Sequence, residues 1–164
     1  MLMARRLAER GAGFITVTTD FVWDMHADAN NATMTEGMGY VGRPFDHAVS
    51  AFIEDVEARG LRDKILLVCC GEMGRTPKIN KRGGRDHWAR AMFALMAGGD
   101  IRGGQVIGET DAKAAEPKNE SVSPEDLAAS FFKNIGIDPK MEFQANVGRL
   151  ITLVRDGNPI SQLF

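Results

Sequence analysis

The sequence predicts an α/β domain built on a doubly wound, mostly parallel sheet. Two apolar runs, residues 65–70 and 91–97, lack the polar alternation of a half-exposed strand and read as strands buried on both faces. A third segment, residues 14–19, is apolar and β-branched. Between it and residues 65–70 lies an amphipathic helix, so strand, helix and strand form a βαβ unit of right-handed sense.

The chain opens on residues 1–11 as a helix without a capping residue, ended at Gly11. That opening reads as a chain already under way, and the expectation is a single, partial domain over 1–164. Residues 27–43, rich in Gly, Asn, Asp and Thr, fit neither period and are expected to be loop. Pro44 suits a first helical turn, and Phe45, Ala48, Val49, Phe52, Ile53 and Val56 recur at helical spacing up to Gly60. After residues 65–70 comes a long loop, 71–90, then the strand at 91–97 closed by Gly98 and Gly99, and a short edge strand at 105–110. Ser123, Pro124 and Asp126 make a helix start with cap, first-turn proline and capping acid; Leu127, Ala128, Phe131, Phe132 and Ile135 are its apolar stripe. From Pro139 the chain reads as an irregular tail with one short strand at 150–154.

Composition narrows the function classes. The 164 residues are 44% hydrophobic and 26% charged with a net charge of -2, so no basic field draws the chain to nucleic acid. No apolar run approaches the roughly 20 residues that cross a bilayer, and no membrane span is expected. The two cysteines, Cys69 and Cys70, are neighbours in a strand, point to opposite faces and read as buried free thiols.

The chemistry-bearing residues follow predicted strands. Asp24 and His26 stand two apart, which in an extended segment places both side chains on one side, able to converge on a cation. Alone, the pair reads more readily as an exposed acid beside a surface histidine. A second cluster, Glu72 with Asp86 and His87, is expected at the same sheet end. Together they form a mixed oxygen and nitrogen donor set for a divalent metal, Zn²⁺ or Mn²⁺ rather than Ca²⁺. Residues 75–90 hold six basic side chains, among them Arg75 and Arg85, against the single acid Asp86. Arg75 and Arg85 are the catalytic candidates, as an anion clamp on sulfate or phosphate oxygens. The competing reading is a solvated, flexible loop. Trp88 is either a core anchor or a wall that excludes water, and His47 is structural.

The series Gly71-Glu72-x-Gly74-Arg75-Thr76-Pro77-Lys78-Ile79-Asn80, then Gly84-Arg85-Asp86-His87-Trp88, then Gly98-Gly99-x-Ile101-x-Gly103-Gly104-x-Val106-x-Gly108-x-Thr110-Asp111, resembles the bacterial domain-of-unknown-function family 1501. Trp23-Asp24-x-His26 and the helix start at Ser123 suit it too, so the resemblance covers residues 4–137. It implies a sulfatase-like, alkaline-phosphatase-like α/β fold, of which this chain is the C-terminal part, with the missing N-terminal half of the domain as its partner. It also implies an exported or periplasmic protein, a divalent metal, and an anionic small-molecule or polysaccharide ester as substrate. By order along the chain Asp24 and His26 take the first metal-ligand place and His87 the last. Gly71-Glu72 stands where the wider superfamily has Asp-His. The function expected is metal-dependent hydrolysis of sulfate or phosphate esters, with the nucleophile supplied by the missing half. The alternative is a non-catalytic anion-binding or assembly module, which the Gly71-Glu72 departure favours.

Overall fold

Residues 1–146 and 148–164 are described by a computed structural model. Its helices are α1 (Leu2–Glu9), α2 (Met34–Gly37), α3 (Arg43–Ala58) and α4 (Pro124–Asn134), with a π-helical turn at Met38–Gly42 joining α2 to α3. The strands are β1 (Leu66–Cys70), β2 (Gly74–Arg75), β3 (His87–Trp88), β4 (Ala94–Gly98), β5 (Glu109–Thr110), β6 (Pro117–Asn119), β7 (Glu142–Gln144) and β8 (Leu150–Thr152).

The expected doubly wound parallel sheet is not the architecture. Among the described residues the strands form four two-stranded sheets, β1–β4, β2–β3, β5–β6 and β7–β8, and every pair is antiparallel. In the largest, Leu66 stands opposite Gly98 and Cys70 opposite Ala94. An apolar run reports burial and carries no information on strand direction. Direction is set here by the intervening chain, which the β2–β3 ribbon folds back on itself so that β4 re-enters beside the end where β1 leaves. Residues 14–19 form no strand and are mostly exposed, so the βαβ unit is absent as well. The central strands are half-buried rather than covered on both faces.

The helices follow their local chemistry. Pro44 sits in the first turn of α3, and Val49, Phe52 and Val56 of the apolar stripe are buried, whereas Ile53 is left partly exposed. In α4 the Ser123 hydroxyl accepts from the Asp126 amide and the Asp126 carboxylate accepts from the Ser123 amide, a complete capping box. The loop expected at 27–43 contains α2, started by a second capping box between Thr33 and Glu36. A Thr followed three residues later by Glu is a helix signature legible in the sequence. Helix α1 has no side-chain cap, and its buried Arg5 pairs with Asp55 of α3 at 2.8 Å.

The buried apolar side chains are Met25, Val41, Val49, Phe52, Val56, Ile101, Ala129, Val154 and Leu163. Segment 21–26 belongs to no helix or strand and is fixed by two edge-to-face aromatic pairs, Phe21 on Tyr40 and Trp23 on Phe45, and by the buried Met25. Met25 is buried between Asp24 and His26, whose side chains meet each other. Cys69 and Cys70 are free as expected, but Cys69 is only half-buried and Cys70 exposed. Burial raises the Cys69 thiol above its ordinary value. No helix among the described residues is long and apolar enough to cross a membrane.

Candidate metal centre

Asp24, His26 and His87 converge. One potential ligand atom from each lies within 4.8 Å of the other two. The His26 and His87 rings meet edge to face, 4.6 Å between centroids. Nδ1 of His26 is buried, makes no hydrogen bond and abuts Oδ1 of Asp24, and Nε2 of His87 is 3.9 Å from that same oxygen. Two imidazoles and a carboxylate turned toward one point are a donor set that a divalent cation would satisfy. His26 is largely enclosed while the His87 side chain is 53% exposed, so the cluster is open on the His87 side.

The two sides of the cluster are assembled separately. Asp24 and His26 come from the segment anchored by Met25. His87 comes from β3, where it stands opposite Arg75 of β2. The ribbon needs glycine at position 74, since a Cβ there would lie 1.7 Å from the Ala91 carbonyl oxygen. Its far end continues through the Thr76 amide to the Asp86 carbonyl, 2.9 Å. Loop 80–86 is then pressed against the ligand segment: the Arg85 amide donates to the Met25 carbonyl at 2.9 Å, and a Cβ on Gly84 would sit 2.3 Å from the His26 backbone.

Asn80, a residue to which sequence reasoning gave no role, organises that contact. Its Nδ2 donates to the His26 carbonyl at 3.0 Å and to Asp86 Oδ1 at 3.2 Å, and its Oδ1 accepts from the amides of Arg82 and Gly84. An Asn beginning a Gly-containing turn is the available sequence cue, because its side chain bonds the backbone two residues on.

The remaining site residues are placed differently from one another. Arg75 Nη1 donates to Asp24 Oδ1 at 3.0 Å and Nη2 to Glu72 Oε1 at 3.2 Å, so Arg75 borders the cluster and Glu72 reaches it only through Arg75. Asp86 is adjacent in sequence to His87, yet its carboxylate is turned to Asn80. Arg85 Nη1 donates to the carbonyls of Thr76 and Pro77, both at 2.6 Å, which makes it a staple across the loop. Arg90 pairs with Glu116, and Trp88 is an anchor whose Nε1 donates to the Ala115 carbonyl at 2.6 Å. His47 is exposed on α3, outside the cluster.

An α+β chain of small antiparallel sheets, gathering two imidazoles, a carboxylate and a guanidinium between a loop and a two-residue ribbon, is the class that fold and site define. The family described as protein of unknown function (DUF1501) matches residues 1–164, and the chain belongs to it. No curated protein and no solved structure matches the chain.

Proposed function

We propose that Asp24, His26 and His87 hold a divalent metal, Zn²⁺ or Mn²⁺, and that the site serves hydrolysis of sulfate or phosphate esters, a sulfatase-like reading of this DUF1501 chain. The observation that carries it is the meeting of two imidazole nitrogens and the Arg75 guanidinium at one carboxylate oxygen. A bound divalent ion supplies a Lewis acid for an ester oxygen and lowers the pKa of a water. Three protein ligands with an open side leave room for substrate. His26 and His87 fix the site's orientation from opposite elements, and Arg75 brings a permanent positive charge beside it to neutralise an anionic group.

One observation favours a second reading, a metal-dependent anion-binding module without turnover: Glu72 reaches the cluster only through Arg75 and adds no ligand for a second ion. The hydroxyl of the Gly74-Arg75-Thr76 motif is occupied, since Thr76 Oγ1 donates to the Lys78 carbonyl at 2.9 Å and accepts from the Asp86 amide at 3.1 Å. It is poorly placed to act as a nucleophile. Hydrolysis of an aryl sulfate and an aryl phosphate, with Mn²⁺ or Zn²⁺ and with a chelator, separates the two. Metal-dependent turnover abolished in His26→Ala and His87→Ala supports the hydrolase. Stoichiometric metal without turnover supports the binding module, and neither metal nor turnover rejects both.

A further inference from the structure

Oδ1 of Asp24 is asked to serve two kinds of cation. It is the Asp24 oxygen that faces both imidazoles, and it also accepts from Arg75 Nη1 at 3.0 Å. The guanidinium keeps its charge at any pH of interest, so a divalent ion and Arg75 on one oxygen repel each other across a partly buried site where screening is weak. Arg75 is not free to leave: its side chain is 21% exposed and its backbone is fixed opposite His87. Its other nitrogen faces Glu72, whose carboxylate is the most exposed group of the set. The fork therefore has an inner partner that a metal would claim and an outer partner that a ligand can replace.

We propose that Arg75 makes metal binding and oxyanion binding at this site mutually dependent. Asp24 gives up its bond to Arg75 when it ligates a cation. Both guanidinium nitrogens then face the open side, where an oxyanion of sulfate or phosphate type takes the place of Glu72 and is held bidentately beside the metal. Without metal, Asp24 and Glu72 together satisfy Arg75 and the oxyanion site is closed. The coupling is reciprocal, so the oxyanion strengthens metal binding by the factor by which metal strengthens oxyanion binding. This inference rests on the metal reading above and adds to it a condition on ligand binding that needs no turnover.

The test is a calorimetric titration of the wild-type protein with Mn²⁺, with inorganic phosphate, and with each in the presence of the other, repeated on Arg75→Gln and Arg75→Lys. In the wild type, Mn²⁺ is expected to tighten phosphate by about tenfold, within the usual range of coupling between sites. Arg75→Gln is expected to bind Mn²⁺ at least as tightly as the wild type, having lost the competing cation, with the coupling factor near one. Arg75→Lys keeps the charge without the planar fork and should fall between; it decides the matter if the Gln variant does not fold. Coupling undiminished in both variants, or Mn²⁺ binding lost with Arg75, overturns the inference. Mn²⁺ binding by the wild type with no effect on phosphate overturns it and leaves the metal reading intact, whereas no Mn²⁺ binding at all overturns both.

Discussion

Arg75 and His87 stand opposite each other in the β2–β3 ribbon, and both side chains reach Oδ1 of Asp24, at 3.0 and 3.9 Å. A two-residue ribbon thus sets the spacing between a permanent cation and an imidazole on one carboxylate. The ribbon and loop 80–86 behind it hold the second half of the site against the first.

The loop contact is testable through Asn80 and Gly84. Asn80→Ala removes the side chain that ties the loop to the His26 carbonyl. Metal affinity should fall by roughly tenfold or more, the effect of losing a group that orients a ligand. Gly84→Ala forces a Cβ to within 2.3 Å of the His26 backbone. It should destabilise the protein by about 1–3 kcal/mol, as overpacking does, and weaken metal binding with it. Calorimetric metal titration and urea unfolding of the two variants report both effects.

Ser130 offers a stability test remote from the site. It is buried, donates to the Asp126 carbonyl at 2.7 Å and accepts from the Ile160 amide at 2.9 Å, tying α4 to the C-terminal segment. Ser130→Ala leaves the Ile160 amide without that partner and is expected to cost about 1–3 kcal/mol. Urea denaturation should show a lower midpoint with an unchanged slope, and metal affinity should not move.

Asp126 makes stability depend on acid. The Asn158 amide, then the Ser123 amide and hydroxyl, hold its carboxyl below the ordinary value of 3.8. A carboxylate depressed in the folded state contributes stability that is fully present above its unfolded value, roughly 3.9, and is lost as pH falls through the lower folded value. Asp126→Asn should therefore flatten the acid side of the stability profile below roughly pH 5 while lowering stability at neutral pH. Thermal melts of both proteins across that range check the sign.

Several features were legible in the sequence because their causes are local. The Ser123 capping box announced α4, and the proline and apolar stripe announced α3. The two-residue spacing of Asp24 and His26 announced a pair able to converge, and their ligand atoms do meet. Strand direction was not legible, since residues 65–70 and 91–97 carry apolar side chains in either orientation. Strands as short as β2 and β3 have no periodicity to read. The role of Arg85 was hidden for a related reason: its partners are the backbone carbonyls of Thr76 and Pro77, which no side-chain pattern reports.

The central claim is that Asp24, His26 and His87 form one metal site. The most direct measurement is a titration of the chelator-stripped protein with Zn²⁺ and with Mn²⁺, read by calorimetry, for the wild type, His26→Ala and His87→Ala. One ion per chain is expected in the wild type, with affinity falling more than about 100-fold in each variant, because losing a ligand should exceed the 10–100-fold cost of losing a group that only orients one. No saturable binding by the wild type, or binding that both variants retain, would contradict the account.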